Sequence, residues 1–344
     1  MLRGPAALFV AWDHLVAIYL DQRQMTSELL QEVRRWVNGP FGLTQDFGWF
    51  GVCLFFLISG FVITHVSQRE NPAEFAVKRL FRIFPALAVS VLLLGLLGNM
   101  LGLRHLSVGE IALATTLLNY FQVPQVVVNG AAWTLVVEVL FYLLTLTGMR
   151  LVSRPILWVS TELVVIAFVI LTAREFGDRY FLFAATAAYV PYLIVGQLIY
   201  YAMWQRSLSP PLFLLFMLAN TGVMLTGLMQ IHPRFLSSAE SYIPSVVMAV
   251  VVFLVTMQFN SRLRPNAISA RLANYSYSIY LYHGILGTVV LDASVKLVGY
   301  LPALALAVMT IFVVCATSFR FVEQPSQAFA RRIWRGSGRI PGIP

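Results

Sequence analysis

Charge is what this 344-residue chain has least of. Only 11% of its residues are charged, against about 25% in a soluble domain. Hydrophobic residues make up 59%, with a mean hydropathy of +0.77, which excludes a water-soluble globule. Cysteine is nearly absent. Cys53 and Cys315 each lie inside an apolar stretch, so a disulfide framework and a cysteine metal site are excluded, and both read as small core residues. Acidic residues are scarce as well, 15 against 24 Lys and Arg, for a net charge of +9. In a membrane chain that excess reports basic loops on one side. No basic patch stands apart from loops and helix ends, so no nucleic-acid partner is expected. No removable signal peptide is expected, because the first apolar segment runs straight on from Met1 and lacks a small-residue cleavage site. No internal repeat and no matched pair of Gly/Pro-broken spans is visible, which speaks against a repeat-built transporter.

What is present is a series of long apolar runs. They fall at about 4–20, 46–66, 83–103, 132–149, 156–173, 180–203, 211–231, 242–259, 274–297 and 301–322, each near the roughly 20 residues a bilayer requires. The expected fold is all-α, a polytopic bundle of about ten transmembrane helices. An eleventh segment, near 107–121, is short and carries Glu110 and Asn119. Charge asymmetry decides its role. If it does not span, sixteen of the 24 Lys and Arg lie on the side of the N-terminus and eight lie opposite. If it spans, nine lie with the N-terminus and fifteen lie opposite. The expectation is therefore a re-entrant or outer-face segment, with both termini cytoplasmic. Residues 1–325 form one integral-membrane domain. Residues 326–344 form a basic tail (Arg331, Arg332, Arg335, Arg339) suited to anionic lipid.

The first run, Leu2–Leu20, holds two misfits, Arg3 and His14. Eleven residues apart, they share one helix face about 16 Å from each other. Arg3 then sits at the membrane surface and His14 at mid-depth, where an ionisable group marks a functional site by default. Glu138 is the acidic residue inside the fourth span, six residues below its expected outer end, and His14 is six from the outer end of its own. Matching depth makes the carboxylate a candidate to orient His14 as a general base. Tyr142 shares the face of Glu138, one turn on.

Lys78, Arg79 and Arg82 form a cationic cluster suited to phosphate. Ser59–Gly60 breaks an aromatic helix and either packs closely against a neighbour or lets a thin ligand pass. Ser276, Tyr280 and His283 make one polar stripe, and Tyr275, Ser278 and Tyr282 make another. Each suits a ligand-lining wall or interhelical hydrogen bonds. His65, His105 and His232 read as incidental. No metal site is expected.

Taken together, six motifs resemble the acyltransferase 3 family of bacterial integral-membrane acyltransferases, over nearly the whole chain. They are Arg3-x10-His14; Gly51–Phe56 with Ser59-Gly60-Phe61; Arg79-Leu-Phe-Arg82-Ile-Phe-Pro85; Trp133-Thr134-Leu135-x-x-Glu138-x-x-Phe141-Tyr142; Ser276–His283; and Glu323-Gln324-Pro325. The resemblance implies a multi-pass enzyme of the inner membrane that moves an acyl group, usually acetyl, from cytoplasmic acyl-CoA to a sugar hydroxyl of a surface polysaccharide or lipid-linked glycan. It implies His14 as base or acyl relay and Arg3 and Arg82 as donor-site residues. The donor is a substrate, and no permanently bound cofactor is expected. On this reading Lys78 and Arg79 join the donor-phosphate site, and Ser59–Gly60 lines the pantetheine path. Trp133, Tyr142, Tyr280 and His283 hold the acceptor. The alternative is a proton-coupled transporter or exporter using His14 and Glu138 as a relay.

Overall fold

The computed structural model describes residues 2–103, 105–231, 239–259 and 266–337, which contain helices and no strand. Arg104, His232, Arg234, Arg262, Arg264 and Arg339, and the tail beyond Ser337, lie outside the described residues. Helix α1 (Arg3–Trp12) runs without a break through a π-helical stretch at Asp13–Ile18 into Tyr19–Gln22. There follow α2 (Gly48–Ser67), α3 (Pro72–Met100), the short α4 (Val108–Ala114), α5 (Trp133–Thr147), α6 (Pro155–Leu171), α7 (Asp178–Ala187), α8 (Val190–Ile199), α9 (Pro210–Ile231), α10 (Ala239–Gln258), α11 (Ala267–Val298), α12 (Tyr300–Ser318) and α13 (Gln324–Ser337). Among the described residues seven helical stretches are long and apolar enough to cross a membrane, and 155–171 and 242–258 are shorter apolar helices. The chain is a polytopic helical membrane bundle. Helix occupies each of the ten apolar stretches read from the sequence.

Local signals place the helix starts. Asn71 accepts from the Glu74 backbone N–H, with Pro72 at the first helical position of α3. Asn266 caps α11 through the Ser269 N–H. Ser107 and Glu110 form a reciprocal capping box on α4, and the Ser107 N–H and hydroxyl hold the Glu110 carboxyl below its ordinary pKa. With seven residues, α4 is about 10 Å long and cannot span. From its end the chain runs through a 3-10 turn at Leu118–Phe121 and back into the bundle at Asn129.

The packing around α1 positions the site. It lies against α2 and α11, and α2 in turn packs on α8 and α10. The α2–α8 contact is backbone-close. A Cβ on Gly60 would stand 1.8 Å from the Leu193 carbonyl oxygen, and one on Gly196 would stand 2.1 Å from that of Leu57. The glycines are reciprocal, each opening room for the other helix's backbone. The segment after Pro325 does not leave the bundle at once. Helix α13 runs along α3, where Ser326 donates to the Phe81 carbonyl at 2.9 Å and Phe329 packs edge-on against Phe81.

Candidate active site

Arg3, Arg82 and Glu138 line one small buried cavity with Ser59, Thr134 and Tyr280. Its volume is about 50 Å³, enough for a few waters. Glu138 accepts from the Ser59 hydroxyl at 3.0 Å and from the Tyr142 hydroxyl. At Arg3, the charge of Arg82 repels and that of Glu138 attracts. The carboxylate thus compensates two cations that would otherwise face each other in a low-dielectric interior.

The expected pairing of Glu138 with His14 is therefore not what the fold makes. The reason lies in the segment before α5. The Tyr120 hydroxyl donates to the Asn129 carbonyl at 2.7 Å, and the Asn129 amide donates to the Leu281 carbonyl at 2.9 Å. The chain thus enters α5 deep inside the bundle. Asn129, Gly130 and Ala131 line a cavity beside His14 itself. Glu138 lies seven residues beyond Ala131, about 10 Å further along the helix, and so reaches the level of Arg3. A depth counted from the end of an apolar run fails when that end is not at the membrane boundary.

The neighbour of His14 is His283, with ring centroids 4.8 Å apart and planes at 53°. His283 is fully buried and bonds the Ile279 carbonyl through Nδ1 at 2.9 Å, while its Nε2 has no partner. A donating Nδ1–H leaves Nε2 as a bare acceptor beside His14. His14 lies in the π-helical stretch, whose wider turn is a recurrent feature of functional sites. That stretch also brings Asp13 into one cavity with His14.

Two cavities meet at His14. One, about 380 Å³, is lined by Tyr19, Gln22, Arg23, Asn129, Thr288 and Asp292 among others. The other, about 270 Å³, is walled by Asp13, Trp49, Trp133, Tyr189, Tyr242 and Tyr280 with their neighbours. Tyr280 also lines the Arg3 cavity, so its ring stands between the two chambers. It accepts from the Thr134 hydroxyl at 2.7 Å and donates to the Ala131 carbonyl at 2.9 Å.

Two expectations are corrected, at the cationic cluster and at Tyr142, and two open alternatives, at Gly60 and at the second polar stripe, go to packing. Lys78 is held by Glu70 at 2.9 Å and Glu74 at 2.6 Å, and Arg79 lies 3.4 Å from Glu70 and over the Phe75 ring. The three-cation phosphate cluster is thus largely neutralised by acids brought in from the α2–α3 turn, and Arg82 pairs spatially with Arg3 instead. Gly60 serves helix contact and lines none of the cavities described here, while Ser59 beside it does line the Arg3 cavity. Tyr142 sits with Glu138, away from the His14 cavities. The second polar stripe is consumed by packing. Ser278 donates to Glu323, Tyr282 to Ser318 at 3.5 Å, and Tyr275 packs on Phe312 and Phe319. The first stripe does reach the site, through Ser276, Tyr280 and His283. The sequence reading missed Trp49, Tyr189 and Tyr242 as site residues. Trp49 lies on α2, Tyr242 on α10 and Tyr189 in the turn before α8, and no spacing links them. Among the described residues no group of three or more potential metal ligands occurs.

The fold is that of a polytopic membrane protein whose polar groups, His14 beside His283 and Arg3 beside Arg82, gather inside the helical bundle. The family described as "Acyltransferase domain" matches residues 1–320, and the chain belongs to that acyltransferase 3 family as an integral-membrane acyltransferase. It is 26% identical over 304 residues to the exopolysaccharide production protein ExoZ of Rhizobium meliloti (strain 1021), covering 83% of this chain and 92% of that protein. It is 27% identical over 320 residues to nodulation protein 10 of Rhizobium leguminosarum bv. viciae, covering 84% and 85%. No solved structure matches. Membership displaces the transporter alternative, whose relay pair the fold also separates.

Proposed function

We propose that this acyltransferase takes an acyl group, acetyl being the expected one, from cytoplasmic acyl-CoA and esterifies a sugar hydroxyl in a surface polysaccharide or lipid-linked glycan. It would do so in the inner membrane, with the Arg3 end cytoplasmic. The relative with "exopolysaccharide production" in its name supports the acceptor class. One observation carries the reading. His14 lines two cavities, and Tyr280 lines both one of these and the cavity that holds the half-buried cations Arg3 and Arg82.

Arg3 and Arg82 would attract the donor's phosphates, since guanidinium groups bind phosphate by paired hydrogen bonds. A cleft of about 510 Å³ lined by Arg3, Ile58, Phe61, Val62, Phe253 and Met257 suits the pantetheine arm. His14 would take the proton of the acceptor hydroxyl as its oxygen attacks the thioester carbonyl. The new C–O bond forms, the C–S bond breaks, and His14 returns the proton to the departing sulfur. Nothing in this sequence calls for a resident cofactor.

The test is acyl transfer by purified protein. His14→Ala is expected to abolish it while CoA binding persists, and full activity in that variant refutes the reading. Arg82→Ala is expected to raise the apparent KM for acyl-CoA roughly 10- to 100-fold, the loss of one charge-assisted contact.

A further inference from the structure

The cavity of about 270 Å³ beside His14 has a composition that the donor does not explain. Trp49, Trp133, Tyr189 and Tyr242 wall it with aromatic surface. Their rings form one packed group. Trp49 stacks on Trp133 at 6.4 Å and 5°, and meets Tyr242 edge-on at 4.9 Å, while Trp133 meets Tyr189 at 4.9 Å. Into this apolar box projects one carboxylate, Asp13, 5% exposed, packed against Gly48. Among the described residues no donor is hydrogen-bonded to Asp13, although a buried polar group ordinarily finds one. The buried indole N–H of Trp49 likewise has no acceptor. An aromatic box with one unsatisfied acceptor group and one unsatisfied donor matches a ring that has C–H faces and hydroxyl edges. Phosphate does not fit, because no Lys or Arg lines the cavity.

We propose that this chamber is the acceptor subsite, binding one neutral pyranose unit with its C–H face on the aromatic rings. The proposal rests on the acyl-transfer reading above and deepens it. Asp13 accepts from two neighbouring hydroxyls, the Trp49 N–H donates to a ring or hydroxyl oxygen, and a further hydroxyl is presented to His14. The volume lies near the lower limit of small-ligand sites, about 300 Å³, and so fits one sugar unit rather than an oligosaccharide. The wider cavity that shares His14, Ile18 and Ala131 with it leaves room for the rest of the chain. With the Asp13 carboxyl group and no Lys or Arg in its lining, the subsite is selective for neutral sugars and adverse to uronates. The acceptor arrives from the end of the bundle opposite Arg3.

The experiment uses full-length protein in a detergent without a sugar headgroup. Tryptophan fluorescence is titrated with methyl glucoside, methyl galactoside and methyl glucuronide, and acyl transfer to the same probes is followed. Wild type is expected to show saturable quenching by the neutral glycosides and at least tenfold weaker quenching by the glucuronide. Asp13→Asn is expected to weaken neutral-sugar binding about tenfold or more, and to narrow the neutral-to-uronate ratio, which a merely structural role does not predict. Trp49→Phe keeps the ring, removes the donor, and is expected to raise the acceptor KM with the acyl-CoA KM unchanged. Acyl transfer with an unaltered acceptor KM and unaltered sugar selectivity in both variants overturns the subsite and leaves the acyl-transfer reading standing. Sugar quenching that Asp13→Asn abolishes, without any acyl transfer by wild type, supports the subsite and overturns the acyl-transfer reading.

Discussion

The rings of His14 and His283 stand 4.8 Å apart at 53°, and the inner one is anchored. His283 is tied to the Ile279 carbonyl on its own helix and fully buried. It therefore forms a fixed wall beside the His14 imidazole. His283→Ala removes that wall and the bare Nε2. The expected outcome is a fall in kcat of about 10- to 100-fold, the size of a misplaced base, with the KM for acyl-CoA unchanged. Steady-state kinetics with the donor varied decides it.

Glu138 offers a sharper contrast, because two roles predict different results. Were it the orienting partner of His14, Glu138→Gln would shift the pH profile of acyl transfer. As the countercharge of Arg3 and Arg82, it leaves that profile in place and changes stability. Removing the charge leaves two half-buried cations facing each other, a cost of about 1–3 kcal/mol. A lower thermal midpoint in detergent with an unshifted pH–rate profile is the expected outcome.

At Gly60 the prediction is about folding. Gly60→Ala drives a methyl group onto the Leu193 carbonyl oxygen, 1.8 Å away, and backbone on both sides leaves nothing to rotate aside. Overpacking of this kind costs about 1–3 kcal/mol or more. Loss of monodisperse protein on size exclusion is expected for Gly60→Ala. Ser59→Ala, one residue away, is expected to keep a monodisperse peak.

The segment between α1 and α2 carries a pH dependence. Arg34 donates to Asp21 at 2.6 Å and to Asp46 at 2.6 Å. The hydrogen bond from Arg34 holds the Asp21 carboxyl below its usual range. A lowered folded-state pKa means stabilisation present above the unfolded value, about 3.9, and lost as pH falls through the lowered one. The thermal midpoint of wild type is expected to approach that of Asp21→Asn below about pH 4, and to exceed it at neutral pH. Equal midpoints at pH 7 contradict this.

Several features were legible along the chain. The ten apolar stretches became helices because hydropathy and length act locally, and the capping residues Asn71, Ser107 and Asn266 mark their starts for the same reason. Arg3, Ser59, Arg82, Glu138, Tyr280 and His14 were all visible as polar residues in apolar surroundings, where their expense betrays them.

What tertiary structure alone decided is which of these groups meet. Asn129 reaches Leu281 from 152 positions away, and that contact sinks the start of α5 so that Glu138 falls beside Arg3. Glu70 turns back onto Lys78 and Arg79 and cancels a cluster that looked free. Trp49, Trp133, Tyr189 and Tyr242 converge around Asp13 from separate parts of the chain. Periodicity fixes the face and spacing of groups within one helix. Their level relative to another helix depends on how deeply each chain segment enters the bundle, and that is set by contacts between residues far apart in sequence.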